Sequence, residues 1–214
     1  MYSDENQRTN IMKRTILFIT SLVLIVGCSK EPINYETLID KDGLKYHPDT
    51  KELYSGKVFT NYIGGKTNLE GSYKDGKKDG LWTEWDENGQ KKSEGKFEDD
   101  KKDDLWKDYY ENGQLQEEGH YKEGKYEGLW RRYFDNGILS IKGNYKDDKQ
   151  EGFWKSYYDN GQLYLDRIYK DGKLEGFWKS YYDNGQLKYE WNYKEGELIS
   201  QECWDEDGNE KECD

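Results

Sequence analysis

"GFWKSYYDNGQL" fills residues 152–163, and the same twelve letters return unchanged at residues 176–187. The 24-residue offset governs most of the chain. Trp82, Trp106, Trp130, Trp154 and Trp178 follow one another at that interval, as do the Asn-Gly pairs beginning at Asn88, Asn112, Asn136, Asn160 and Asn184. A third column, Tyr73, Phe97, Tyr121, Tyr145, Tyr169 and Tyr193, keeps the same step, each member followed within three residues by an acidic-Gly or Asp-Asp pair. Self-similarity at such a period marks a repeat architecture. The register gives a degenerate unit near 56–79, where Val58 replaces the Trp and "NYIGGKT" the usual turn, clear units over 80–199, and a partial one from about Ser200.

Each unit carries two turn signals, Asn-Gly and then the acidic pair, separated by aromatic and β-favouring residues, which predicts hairpins and an all-β fold. Both signals supply positive φ angles for type I′ turns. A two-residue turn at Asn136-Gly137 sets Trp130 opposite Gly143, and the equivalent turns set Trp106 opposite Gly119 and Trp82 opposite Gly95. The next turn, at Asp147-Asp148, pairs Gly143 with Gly152, leaving a trough without side chains in which an indole can lie flat. In the fifth unit Arg167 replaces the glycine and is placed to stack on Trp154. A three-residue loop with a Gly bulge is the competing register and would break this pairing.

Composition pulls two ways. With 36% charged residues, a formal charge of -12 and a mean hydropathy of -1.28, the chain sits near the disordered class, yet 16% of it is aromatic. Disordered acidic chains are poor in aromatics, and the absence of alanine disfavours a helical protein. The acidic balance repels nucleic acid and anionic headgroups, so no nucleic-acid partner is expected.

The N-terminus reads as an address. From Met12, the expected true start, Lys13 and Arg14 precede an apolar run from Ile16 to Val26 that is too short for a comfortable membrane span, which needs about 20 residues. Residues 1–27 are therefore expected to be a signal peptide. The ending "LIVGC" resembles a bacterial lipobox, which implies lipidation of Cys28 and a membrane partner reached through that anchor. The place implied is the bacterial cell envelope, the outer membrane in a Gram-negative cell. Residues 28–41, aperiodic and containing Pro32, read as a tether.

"GLWRRYFDNGILSIKGNYKDDKQEG", "GFWKSYYDNGQL" and "DGLKYHPDTKELYSGKV" resemble the bacterial variant MORN repeats found in proteins labelled YwqK-family antitoxins of toxin–antitoxin systems. The resemblance covers about 42–200 and implies an elongated, twisted single-sheet array of stacked β-hairpins that serves as an interaction scaffold. Eukaryotic relatives are linked to acidic phospholipids or sit beside a kinase domain. This chain carries no such domain and no Gly-rich phosphate loop.

No catalytic constellation is predicted. His47 and His120 lie in different units without convergent partners, and the acidic pairs Asp99-Asp100, Asp103-Asp104 and Asp147-Asp148 lack the spacing of a calcium loop. Neither metal nor cofactor is expected. Cys203 and Cys213 flank Gly208 symmetrically; a hairpin there sets them opposite each other, and an oxidising compartment makes them a disulfide candidate that caps the sheet within 200–214. The column Trp82, Trp106, Trp130, Trp154 and Trp178 is read as repeat core. Tyr109, Tyr133, Tyr157 and Tyr181, out of phase with Tyr110, Phe134, Tyr158 and Tyr182, are the binding candidates, because successive strand residues face opposite sides. The leading expectation is a non-enzymatic, membrane-anchored scaffold for an unknown protein partner. A glycan or cell-wall binding module using the Trp and Tyr columns is the alternative, and an antitoxin or immunity-type protein the third.

Overall fold

The computed structural model describes residues 31–213, so the lipidation candidate Cys28 and the signal segment lie outside the described residues. The strands are Ile33–Asn34 (β1), Ile39–Lys41 (β2), Leu44–Tyr46 (β3), Gly56–Asn61 (β4), Thr67–Lys74 (β5) and Lys77–Lys78 (β6). Then come Gly80–Trp85 (β7), Lys91–Glu98 (β8), Lys101–Tyr109 (β9), Leu115–Lys122 (β10), Lys125–Tyr133 (β11) and Leu139–Lys146 (β12). The last are Lys149–Tyr157 (β13), Leu163–Lys170 (β14), Lys173–Tyr181 (β15), Leu187–Lys194 (β16), Glu197–Trp204 (β17) and Glu210–Lys211 (β18).

From β7 to β18 every strand pairs antiparallel with the next, as the hairpin signals require, in one 16-stranded sheet. β1 joins its edge in parallel against β4, making the sheet mixed, and β2 and β3 form a separate hairpin. The all-β expectation is borne out.

The expected facing pairs are present: Trp130 with Gly143, Trp106 with Gly119 and Trp82 with Gly95. The turns that produce them differ from expectation. Phe134 donates its N–H to the Ile138 carbonyl, and Gly137 donates to Phe134, so Asp135, Asn136 and Gly137 form a three-residue loop with only Gly137 at positive φ (+82°). Tyr133 accordingly pairs with Leu139. A bulge then shifts the register so that Arg132 meets Ile141, restoring the alignment a two-residue turn would give. The acidic turns do match type I′: Asp147 and Asp148 have φ of 49° and 66°.

Gly143 does not pair with Gly152. Between the pairs Asn144–Glu151 and Lys142–Lys155 the register jumps, so Gly152, Phe153 and Trp154 together oppose Gly143, with Gly152 bent into the left-handed region (φ +69°). This bulge swings Trp154 onto Gly143, eleven residues before it, and Trp82 and Trp106 cover Gly71 and Gly95 at the same offset. A Cβ built on Gly143 would lie 2.2 Å from the Trp154 ring, one on Gly95 2.2 Å from Trp106, and one on Gly71 2.3 Å from Trp82. Trp82, Trp106 and Trp154 also donate their indole N–H to the carbonyls of Ser72, Lys96 and Asn144, each just beyond the covered glycine. Arg167 does not stack on Trp154; its guanidinium lies over Tyr169 and donates to the Ser156 hydroxyl. Where Trp191 takes the glycine position, Trp178 stacks on it at 4.7 Å.

The covered glycines and a succession of ring contacts, mostly edge-to-face, build one aromatic row along a single face. Tyr35, Tyr73, Trp82, Phe97, Trp106, Tyr121, Tyr126, Tyr145, Trp154 and Tyr169 succeed one another with centroids 4.4–6.4 Å apart. Such pairs each add about 0.5–1.5 kcal/mol beyond area burial. Trp82, Trp106, Trp130 and Trp154 are buried; Trp178 is half-buried.

The two ends differ. The expected tether to residue 41 ends earlier: Ile33 and Asn34 pair with Val58 and Phe59, Tyr35 stacks on Tyr73, and Leu38 is buried with Tyr54, Val58, Tyr73 and Trp82. At the other end the final hairpin starts at Glu197, and its loop sets Cys203 opposite Lys211, not opposite Cys213. Cys213 lies two residues beyond that pair and bridges to buried Cys203, with Cα atoms 5.4 Å apart.

A Gly95→Ala substitution should lower the thermal midpoint through a clash of about 1–3 kcal/mol. The cost should nearly vanish when Trp106→Ala is already present, a coupling that a double-mutant cycle measures. Under the same aromatic row, burial pushes the Asp108 carboxyl above its ordinary value; Lys102 opposes the shift, while Glu117 and Glu84 add to it. A carboxyl whose folded pKa is raised destabilises the fold above that pKa and ceases to do so once pH falls below its unfolded value. Asp108→Asn should therefore raise the midpoint at pH 7, with the gain disappearing below about pH 3.9, as paired thermal melts across pH would show.

Candidate functional site

Alternation along each strand gives the sheet a second face, opposite the tryptophans. The residue immediately before each Trp points there: Leu81, Leu105, Leu129, Phe153 and Phe177, again at 24-residue steps. Leu81 and Phe153 are each 64% exposed and Phe177 47%, large apolar side chains in water. This column was missed by sequence reasoning, which followed the tyrosines. Its signal was one letter away from the tryptophans.

Tyr109, Tyr133, Tyr157 and Tyr181 lie on this same face, half-buried. Tyr109 donates its hydroxyl to Glu94 Oε1 at 2.6 Å, and Tyr133 donates to Glu118 Oε1 at 3.1 Å. Burial and the adjacent carboxylate raise both phenols, burial first. These two tyrosines therefore stay neutral and support the carboxylates. The out-of-phase aromatics do something else. Tyr110, Tyr158 and Tyr182 donate hydroxyls to the carbonyls of Tyr133, Tyr181 and Trp204, 22 or 23 residues on, tying each loop to the next.

Between the apolar column and the tyrosines runs a row of charges, one per strand. Glu94, Lys107, Glu118 and Arg131 are successive cross-strand partners, followed by Lys142, Lys155, Asp166, Lys179 and Glu190. Several neighbours in the row touch. Arg131 Nη1 lies 2.7 Å from Glu118 Oε1, Lys155 Nζ 2.9 Å from Asp166 Oδ2, and Lys179 Nζ 2.6 Å from Glu190 Oε2. Hydrogen bonds donated to Asp166 and Glu190 hold the Lys155 and Lys179 ammonium groups above their ordinary pKa, while Lys91 and then Tyr109 hold Glu94 below its own. Opposite charges facing across strands each contribute about 0.2–1 kcal/mol.

The groups considered for chemistry stay apart. His47 accepts hydrogen bonds at Nδ1 from the backbone of Asp49 and Thr50, beside the Tyr54 ring. His120, on β10, lies 3.7 Å from Asp104 on β9. Among the described residues no group of three or more His, Cys, Asp or Glu side chains is placed to hold a metal ion. The arrangement offers a flat, repeating surface of apolar, charged and phenolic columns.

A model of one repeat family matches five stretches, residues 78–99, 105–123, 126–147, 150–171 and 174–195, which together make up half of the 214-residue chain. No curated protein matches the chain. Four of the matched stretches begin two residues past an acidic turn and one at Leu105; each carries the Trp and the Asn-Gly loop of its unit and ends on the first residue of the next acidic turn. On that match the chain belongs to the MORN repeat variant family.

Proposed function

We propose that this repeat scaffold is non-enzymatic, is anchored through lipidated Cys28 in the bacterial cell envelope, and binds a protein partner on the face opposite the tryptophans. The observation that carries the binding role is the exposure of Leu81, Phe153 and Phe177 in one column. Large apolar side chains aligned on one face mark interaction surfaces more than scattered single ones do. The neighbouring charge row supplies the polar surround that such surfaces carry. The anchor rests on the sequence from Met12 to Cys28. Toxin neutralisation by binding would be one use of the same face. A glycan module stacking sugars on tryptophan is less favoured, because Trp82, Trp106, Trp130 and Trp154 are buried.

The doubly substituted Phe153→Ser, Phe177→Ser protein should keep its fold, since exposed positions change stability by only about 0.5 kcal/mol. It should lose most of the protein crosslinked to the native chain, whereas Arg132→Ala on the tryptophan face should not. Undiminished crosslinking in the double variant would remove this face from the reading, and retention on cell-wall polysaccharide in place of protein would move it to the glycan alternative. Metabolic palmitate labelling should mark the native chain and not Cys28→Ser; equal labelling of both removes the anchor.

A further inference from the structure

From Glu94 to Glu190 the charge row on the face opposite the tryptophans alternates in sign except at one place; past Glu190 it ends on a second acid, Glu202. Arg131 on β11, Lys142 on β12 and Lys155 on β13 are direct cross-strand partners, three cations side by side. The break comes from one residue. At 24-residue steps the column reads Glu94, Glu118, Lys142, Asp166 and Glu190, so an acid at 142 would complete the alternation from Glu94 to Glu190.

Like charges directly opposite one another across strands destabilise a sheet. The outer two cations are relieved on their far sides, Arg131 by Glu118 at 2.7 Å and Lys155 by Asp166 at 2.9 Å. Lys142 has no such relief: no carboxylate among the described residues forms an ion pair with it, and its ammonium lies 5.8 Å from the Tyr157 ring centroid. The half-buried Lys142 therefore concentrates positive charge on the surface of a chain whose formal charge is -12. Arg131 and Lys155 keep 40% and 35% of their side-chain surface, enough to meet a ligand from above.

The surroundings narrow the ligand. Two residues from Lys155 along β13 stands exposed Phe153, and two residues on the other side stands Tyr157. Strands lie about 4.8 Å apart, so the three cations span about 10 Å, while carboxylates at alternate positions of an extended peptide stand about 7 Å apart. A short acidic segment fits inside that span. A membrane surface or a nucleic acid would also meet Glu118 and Asp166, each one strand from the patch and so within one Debye length (~8 Å) of it.

We propose that Arg131, Lys142 and Lys155 form a docking site for a short, extended acidic segment of a protein partner, with two carboxylates at alternate positions on the cations and an adjoining apolar side chain on Phe153. This deepens the protein-binding reading of the face and rests on it. Lys142 is then kept at the expense of sheet stability.

The test uses the full chain and a fluorescent synthetic peptide carrying two glutamates at alternate positions followed by a phenylalanine, read by anisotropy at two salt concentrations. Lys142→Glu should weaken binding at least tenfold while raising the thermal midpoint. Lys142→Gln should weaken it severalfold, and Lys107→Gln, which lies between two acids, should leave it unchanged. Equal peptide affinity in native chain and Lys142→Glu overturns the site. A midpoint that falls in both Lys142 variants assigns the residue to the fold and overturns it too. So does tighter binding of phosphatidylserine vesicles or single-stranded DNA than of the peptide, or self-association abolished by Lys142→Glu, which would make a second copy the occupant. Binding lost in Phe153→Ser but kept in Lys142→Glu defeats the charge site and leaves the face standing; binding kept in both defeats the face as well.

Discussion

A flat indole lying on backbone that carries no side chain is the contact on which the rest of this sheet depends. Gly71, Gly95 and Gly143 leave no room for even a methyl group beneath Trp82, Trp106 and Trp154. The close approach lets the indole N–H reach the next carbonyl, so a large apolar ring is buried without orphaning its donor. A single sheet has no second layer to pack against. Its aromatic side chains must bury one another, and the glycines make the shelf on which they do so.

The turns on both edges extend that logic. On one edge Tyr110 and Asn112 reach the carbonyls of Tyr133 and Asp135 in the next loop. On the other, the backbone N–H groups of Asp147, Asp171 and Glu195 donate to Glu127, Glu151 and Glu175 of the hairpin before. Each hairpin, too small to be stable alone, is held by its neighbours through rings, loops and charges, as nearest-neighbour stabilisation in repeat proteins requires. With the tryptophan face committed to this stack, the opposite face can carry exposed Phe153 and the Lys142 cluster.

The hairpin array and the facing Trp–Gly pairs were legible because turn residues act locally and the 24-residue period repeats the same inference in every unit. The loop type was not. Asn-Gly suits both a two-residue turn and a three-residue loop with Gly137 at positive φ, and the choice is tied to contacts with the next hairpin, such as Tyr110 to Tyr133. The short pairing of Ile33 and Asn34 with β4 left no periodic trace, so the segment read as a tether. Of the two aromatic series, alternation placed one away from the tryptophans, and that series holds Tyr109 and Tyr133. That their hydroxyls are engaged by Glu94 and Glu118, residues fifteen positions earlier on another strand, follows only from register.

By itself the sequence determined the all-β hairpin array, its repeat length, and which residues share a face, since period and alternation are properties of the chain. Tertiary structure decided which glycine each indole covers, because the bulge at Gly152 moves Trp154 past its expected neighbour. It also decided that Arg131, Lys142 and Lys155 stand side by side. The expected register already faces Arg131 with Lys142, as it faces Trp130 with Gly143, and the bulge at Gly152 sets Lys155 opposite Lys142 and completes the row.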